Sequence, residues 1–207
     1  FSASWLAYHI VLVIGLSRKV SVVEPSPLLN LRGITRRFGD FTAVDSLDLE
    51  VARGEIFALL GPKGAGKTTT MKMIIGTLQP DAGLAEVSGY DCFHKRHFCM
   101  TMTGYVPDEP TFPAFLRASE LIRFQGEMHG LDKGVAQRNA EPLIERLELG
   151  DALEEFAVNF SKGMKKKLAV VLALVHKPEL LILDELTNGL DPYATRELHD
   201  LMLEQRD

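Results

Sequence analysis

Residues 61–69 read Gly61-Pro62-Lys63-Gly64-Ala65-Gly66-Lys67-Thr68-Thr69, here named the phosphate loop. Its first eight residues match the pattern G-x-x-x-x-G-K-[ST]. In such a loop the glycines let the backbone curl around a phosphate, and the N-terminus of the next helix adds positive potential. We therefore expect Lys67 to reach the β- and γ-phosphates of a nucleotide, and Thr68 to bind Mg²⁺ through its hydroxyl.

The residues on either side of the phosphate loop supply the context that this motif requires. Residues 55–60 read EIFALL, a continuous apolar run that is typical of a strand buried on both faces. Residues 66–76 have the pattern of a helix that ends at a glycine. The order strand, loop, helix favours a phosphate site over a glycine-rich turn without a ligand.

A second apolar run, residues 180–183, ends in Asp184 and Glu185, here named the acidic pair. Carboxylates at the C-terminal end of a parallel strand lie where ligands bind in open α/β sheets. Asp184 is predicted to hold Mg²⁺ directly or through water, and Glu185 to act as general base for an attacking water. Alone, the pair also fits an exposed turn, and the phosphate loop makes the functional interpretation the stronger one.

The composition of the chain excludes several classes of protein. The chain has 207 residues, 46% of them apolar and 25% charged, which is typical of an ordinary globular domain. The net charge of −5 argues against nucleic-acid binding through bulk charge. The two cysteines exclude a disulfide scaffold and fit a reducing compartment.

The N-terminal part of the chain carries an apolar run from Trp5 to Leu16. The run is shorter than the roughly 20 residues of a membrane-spanning helix, and no basic region precedes it as in a signal peptide. Residues 1–27 are therefore expected to form an extension that is packed, poorly ordered or foreign to the domain. The domain is expected to start at Leu28 and to run to residue 207.

From Leu28 onward the motifs and their order resemble the nucleotide-binding domain of ABC transporters. Residues 61–69 resemble Walker A, and residues 180–185 resemble Walker B with its catalytic glutamate. Residues 160–164 resemble the signature motif, residues 187–192 the D-loop, and residues 104–108 stand at the Q-loop. The Ser-Lys-Gly-Met form of the signature resembles the multidrug and antibiotic exporter-like (ABC-2 type) branch.

The resemblance implies an α/β P-loop NTPase fold. It has a mostly parallel core sheet, an N-terminal antiparallel β subdomain and a helical subdomain at about residues 109–170. It implies an ATPase in which two domains pair head to tail around Mg-ATP, in a homodimer. The implied partner is a transmembrane permease subunit, which the domain meets at the cytoplasmic face of the cell membrane. Phe112, Phe115 and Leu116 either contact this subunit or pack the helical subdomain. No nucleic acid is expected.

The resemblance also assigns site residues. Catalytic roles fall to Glu185, Lys67 and Asp108, and the magnesium ligands to Thr68, Asp184 and Asp108. Nucleotide-binding positions are Phe38, expected to stack on adenine, then Gly61, Pro62, Lys63, Gly64, Ala65, Gly66, Lys67, Thr68 and Thr69, and, toward the nucleotide of the opposite domain, Ser161, Lys162, Gly163 and Asp191.

Several positions depart from the family's pattern. Asp108 stands where the family has glutamine, and an ionised aspartate only accepts hydrogen bonds. Lys162 replaces a glycine and would bring a cation to the partner's γ-phosphate. The lysines at 165–167 are expected to form a solvated face. His199 comes too early for the switch histidine, so the chain is expected to be truncated at its C-terminus and to hydrolyse ATP weakly or not at all alone.

Three alternatives stay open at this point. The first is a soluble ABC-type ATPase that acts on ribosomes or DNA, and the second is a regulatory module that binds nucleotide without hydrolysis. The third concerns Cys92, His94, His97 and Cys99, which are potential metal ligands within eight residues. Such crowding on one short segment favours an ordinary loop or helix over a zinc site, which draws on two separated pairs.

Overall fold

Two β-sheets and six α-helices form the part of the chain that the computed structural model describes, residues 8–16, 26–132, 134–188 and 190–206. The strands are β1 (Tyr8–Gly15), β2 (Leu29–Phe38), β3 (Phe41–Val51), β4 (Ile56–Pro62), β5 (Ala82–Val87), β6 (Tyr90–Asp91), β7 (Thr103–Val106) and β8 (Leu180–Asp184). The helices are α1 (Lys67–Ile74), α2 (Arg96–Met102), α3 (Ala118–Met128), α4 (Val135–Arg146), α5 (Lys162–Leu174) and α6 (Pro192–Arg206), with short 3₁₀ turns at Gly150–Ala152 and Ala157–Asn159. Among these described helices, none has both the length and the apolar character needed to cross a bilayer.

The core sheet has the strand order β4-β1-β8-β7. Strands β7 and β8 pair in parallel, while β1 pairs antiparallel with both β4 and β8. Because β4 and β8 both run opposite to β1, strands β4, β7 and β8 share one direction. The expected common direction of these three strands is confirmed, but β1 runs against them and makes the described sheet a mixed one. Their carboxyl ends meet at one edge, which brings the phosphate loop and the acidic pair to the same side of the molecule.

The second sheet has the order β3-β2-β5-β6, with every neighbouring pair antiparallel, and confirms the expected antiparallel subdomain. A buried apolar cluster joins this sheet, α1 and one face of the core sheet, including Leu180 and Ile182. Leu181 and Leu183 point to the opposite face, into a second cluster formed with α3, α4, α5 and α6. The alternation follows from the period of two along a strand, and it explains why residues 180–183 are apolar without a break.

The N-terminal apolar run corrects the boundary expected at Leu28, because residues 8–15 form β1 in the middle of the core sheet. Val11 and Val13 enter the cluster beside α1, and Ile14 enters the cluster beneath the helices. A strand covered on both faces needs a continuous apolar sequence, which is the same signal that predicted β4 and β8. Residues 1–7 and 17–25 of the expected extension lie outside the described residues.

Replacing Ile14 tests this position of β1. The Ile14 side chain is 0% exposed, so Ile14→Ala is expected to lower the free energy of unfolding by about 2–5 kcal/mol through lost burial and an unfilled cavity. Ile10 on the same strand is 45% exposed, and Ile10→Ala is expected to change the free energy of unfolding by less than about 0.5 kcal/mol. Both are measured by urea unfolding, and equally small effects would contradict a central β1.

Candidate functional site

The phosphate loop connects β4 to α1 through a backbone that only glycine tolerates at its last turn. Gly66 is the N-cap of α1 and has φ of 82°. A Cβ at this position would lie 2.3 Å from the Ala43 carbonyl oxygen. Because Gly66 offers no side-chain acceptor, the first amides of α1 keep their capacity to bind an anion.

Lys67 is the first residue of α1, and its ammonium folds back onto the loop. Its Nζ donates hydrogen bonds to the carbonyl oxygens of Gly61, at 2.7 Å, and Pro62, at 2.8 Å. The side chain is buried against the loop, which holds the cation at the start of the helix. Positive charge and helix amides therefore converge on one point, as the sequence predicts for a phosphate site.

One cleft of about 330 Å³ brings most of the expected site together. Its lining combines two aromatic rings, the phosphate loop and the acidic pair, namely Phe38, Phe41, Ala43, Lys63, Gly64, Ala65, Gly66, Lys67, Thr68, Thr69, Asp184 and Glu185. Gly61 and Pro62 contribute through their carbonyl contacts with Lys67. Asp108, Ser161, Lys162, Gly163 and Asp191 do not line it.

The aromatic side of the cleft contains one residue that sequence reasoning missed. Phe41 pairs with Phe38 across the turn between β2 and β3, and both side chains are exposed. The guanidinium carbon of Arg36 lies 5.0 Å from the centroid of the Phe38 ring, and Arg36 is itself held by Asp81 at 2.8 Å. The family resemblance assigns one aromatic position, Phe38, whereas the hairpin register brings two rings to the cleft.

Glu185, the second member of the acidic pair, has a left-handed backbone with φ of 47°. Its N–H donates to the Ile10 carbonyl of β1 at 3.0 Å. Its carbonyl accepts from the Lys166 ammonium at 2.5 Å and from the Asn188 amide at 3.0 Å. Its carboxylate accepts a further bond from the Asn188 side chain at 3.2 Å, so both backbone and side chain are held.

Asp108 lies just beyond β7 and joins the acidic pair through two intermediaries. Its Oδ1 accepts from Lys166 Nζ at 3.4 Å and from Asn188 Nδ2 at 3.3 Å. Asn188 lies in the expected D-loop stretch and Lys166 in the expected solvated face, and the sequence predicts no contact of either with Asp108. The contacts span 80 and 58 positions of the chain, and no local pattern signals them.

The structure corrects the solvated face expected at residues 165–167. Lys166 is 0% exposed, and burial lowers the pKa of its ammonium against an opposing contribution from Asp108. Lys167 is mostly buried and lies 2.7 Å from a carboxylate oxygen of Glu197 on α6. The helix turns these two lysines inward because the buried cluster continues through Leu168 and the residues that follow.

Tyr105 on β7 has a pKa that the charges of Asp184 and Asp108 influence. Burial first, and then the carboxylates of Asp184 and Asp108, raise the pKa of Tyr105 to about 12. The hydroxyl therefore stays protonated at neutral pH and is able to donate a hydrogen bond.

The expected signature residues lie at the N-terminus of α5, outside the cleft. Ser161 is the N-cap, and its hydroxyl accepts from the Met164 amide at 3.2 Å, as the preference of serine for this position predicts. Lys162 is exposed and Gly163 is half-buried.

Asp191 caps α6, as an aspartate followed by a proline at the first helical position predicts. Its carboxylate accepts from the amides of Tyr193 at 2.9 Å and Ala194 at 3.0 Å. The bond from Ala194 is the main cause that lowers the pKa of Asp191.

Cys92 and Cys99 are both buried beside β6 and α2. The His94 ring instead contacts Asp91 at 3.1 Å. Within the described residues, no group of three or more histidine, cysteine or acidic side chains is arranged to share a metal ion.

Comparison with known proteins adds independent findings. A family model described as "ABC transporter" matches residues 44–188. The daunorubicin resistance ATP-binding protein DrrA3 of Streptomyces coeruleorubidus is 36% identical, with 83% of this chain and 54% of that protein covered. The bacitracin transport ATP-binding protein BcrA of Bacillus licheniformis is 35% identical, with 86% and 57% covered. The chain thus spans about half the length of the curated relatives it matches.

Solved structures agree with these sequence matches. The chain superposes with a TM-score of 0.80 on a structure described as the ATP binding subunit of an ABC transporter, at 32% identity, covering 86% of this chain and 75% of that one. It also superposes on MJ1267, an ATP-binding cassette of an ABC transporter, with a TM-score of 0.72 at 20% identity, covering 87% of this chain and 77% of that one. The second match supports the fold alone, and both agree with the expected P-loop NTPase fold.

Proposed function

The chain belongs to the ABC transporter family, and from this premise we propose that it binds Mg-ATP in the cleft and hydrolyses it to power transport. Membership makes it an ATP-binding subunit of the transporter type. Beyond membership, we propose which residues carry ATP binding and hydrolysis, that two domains pair, and that transport is export.

The observation that carries this proposal is the convergence of the phosphate loop and the acidic pair on one cleft. The uncapped start of α1 and the Lys67 ammonium suit the charge of a triphosphate. The Thr68 hydroxyl and Asp184 carboxylate are hard oxygen ligands of the kind Mg²⁺ prefers, so the residues present fit the ion. Bound there, Mg²⁺ would neutralise phosphate charge and orient the γ-phosphate.

Glu185 is the proposed general base, because its carboxylate lines the same cleft and is oriented by Asn188. It would accept a proton from the attacking water. Lys67 would exchange its carbonyl contacts for the β- and γ-phosphate oxygens and stabilise the charge that develops there. Asp108 is proposed to act beside Glu185, through the network that joins them.

Phe38 is the proposed adenine contact, and its replacement tests the nucleotide function. With Arg36 over one face of the ring, the other face is available for stacking. Loss of one base–aromatic stack costs about 1–3 kcal/mol, so Phe38→Ala is expected to raise the Kd for Mg-ATP about 5- to 100-fold. The Kd is measured by calorimetry, alongside phosphate release by the same protein.

Phe115 provides the matched control for this test. Its side chain is 75% exposed and lies away from the cleft, so Phe115→Ala is expected to leave the Kd for Mg-ATP unchanged. Failure of the unaltered chain to bind millimolar Mg-ATP would overturn the nucleotide function itself. Equal binding by both variants would remove only the role of Phe38.

Head-to-tail pairing of two copies is proposed from the expected site residues that do not line the cleft. Ser161 and Lys162 are exposed at the N-terminus of α5, where helix amides and a cation suit the γ-phosphate of a second copy. Gly163 permits close approach, and Asp191 is proposed to contact the same interface.

A transmembrane permease is the proposed third component, contacted at the cytoplasmic face of the membrane. A groove of about 420 Å³ lies between the segment after β7 and the helices α3 and α5, and Phe112 is part of its wall. Phe115 is exposed, whereas Phe112 and Leu116 pack partly into the core. The resistance and transport proteins among the relatives favour an exporter.

A further inference from the structure

We propose that Lys166 is a positioning residue of the hydrolytic site, whose ammonium holds the Glu185 backbone and the Asp108 carboxylate in one fixed arrangement. The proposal rests on the ATPase function above, since Glu185 is the residue positioned. It concerns a side chain that no motif singles out and that the sequence predicts to be solvated.

The backbone of Glu185 needs such a restraint. A non-glycine residue in the left-handed region is strained and persists only where its surroundings hold it. Three contacts do so here, from the Ile10 carbonyl, the Asn188 amide and the Lys166 ammonium. Of these three, the ammonium at 2.5 Å is the contact made by a side chain, so it is open to substitution.

Because Lys166 is buried, its ammonium must be paired with polar or charged groups of the protein. A fully buried ammonium costs free energy unless it is paired and hydrogen-bonded. In the described structure the ammonium contacts the Glu185 carbonyl and the Asp108 carboxylate. The ammonium therefore cannot leave these groups without losing its compensation.

The same pairing gives a physical reason for Asp108. Glutamine at this position would leave a neutral amide beside the buried ammonium, whereas aspartate supplies the opposite charge. Asn188 links the two acidic residues, because its side-chain amide donates to the carboxylates of both Asp108 and Glu185. Four segments, the end of β7, α5, the end of β8 and the turn before α6, are thereby tied together.

The position of Lys166 on α5 connects this network to the proposed dimer. Ser161 caps the helix, and Lys166 follows it five residues later, about 7.5 Å along the axis at the usual rise per residue. Contact of the N-terminus of α5 with the nucleotide of a second copy would act through a rigid helix on the first copy's own Glu185.

The test measures binding and single-turnover hydrolysis separately in the whole chain, because a single-turnover measurement resolves even the slow hydrolysis expected of the chain alone. Lys166→Met keeps the length of the side chain and removes the charge. We expect it to slow single-turnover hydrolysis at saturating Mg-ATP at least tenfold while the Kd for Mg-ATP changes less than threefold. Lys165→Met, at the neighbouring half-buried position, is expected to change both by less than twofold.

A double-mutant cycle separates pairing from a direct role of Asp108 at the nucleotide. Asp108→Asn is expected to slow hydrolysis at least fivefold alone but less than twofold in the Lys166→Met background, because the pair is already broken. Equal losses in both backgrounds would overturn the proposed pairing, as would wild-type hydrolysis by a folded Lys166→Met. If Lys166→Met does not fold, Asp108→Asn alone decides, and wild-type hydrolysis by it overturns the proposal.

Failure of the ATPase function would look different. In that case the unaltered chain would not bind Mg-ATP, or would bind it without single-turnover hydrolysis, and the failure would fall on the ATPase function rather than on Lys166. Binding and hydrolysis by the unaltered chain, with Lys166→Met equal to it, would contradict the positioning role alone.

Discussion

Glu185→Gln is expected to reduce ATP hydrolysis by about 10²- to 10⁴-fold, the usual contribution of a general base. Glutamine has nearly the same shape but cannot take the proton of the attacking water. Its side-chain oxygen would still accept from Asn188, and the backbone contacts of residue 185 do not depend on the carboxylate. The fold and the cleft should therefore persist.

Mg-ATP binding by Glu185→Gln is expected to stay within about threefold of wild type, because the loss falls on a step after binding. Because Glu185→Gln would bind ATP without hydrolysing it, the bound nucleotide should also favour the pairing of two copies. This pairing is measured as a dimer by sedimentation in Mg-ATP. Single-turnover phosphate release gives the rate, and the exposed Glu155 supplies the control Glu155→Gln. Wild-type release by Glu185→Gln would assign the general base to another residue.

Lys67→Ala is expected to affect binding and hydrolysis together. A hydrogen bond to a charged group contributes about 1.5–3 kcal/mol, so the Kd for Mg-ATP should rise about 10- to 100-fold. Loss of transition-state charge stabilisation should slow hydrolysis by a further factor of about 10²–10³. The two effects are separable by calorimetry and by phosphate release at saturating nucleotide.

Lys72→Ala is the matched control for Lys67→Ala, because Lys72 lies on the same helix but is exposed. It is expected to leave binding and hydrolysis unchanged. The melting temperature is measured for both variants, since Lys67 also bonds the carbonyls of Gly61 and Pro62. Unchanged binding by a folded Lys67→Ala would contradict the proposed phosphate contact.

Much of the site was predictable because its determinants are neighbours in the sequence. The phosphate loop needs glycines, a lysine and a helix start within nine residues. The caps at Ser161 and Asp191 need only a polar side chain three residues before the amide that it accepts from. Continuous apolar runs identified β4 and β8 because a strand covered on both faces imposes that pattern locally.

For β1 the sequence predicts an extension, although the same physics applies to its apolar run. Its composition matches that of β4 and β8, but composition does not say which strands it pairs with. The insertion of β1 between β4 and β8 depends on register over distant parts of the chain. The contact of Ile10 with Glu185 follows from that register.

The amino-acid sequence alone determined the phosphate loop, the acidic pair, the helix caps and the class of fold, since each depends on residues a few positions apart. Only the tertiary structure decided that Phe41 joins the cleft, that β1 lies at the centre of the sheet and that Lys166 is buried beside Asp108. These contacts join residues far apart in the chain. Whether a lysine faces solvent or a carboxylate is settled by which helix and strand ends pack together, and no local pattern records it.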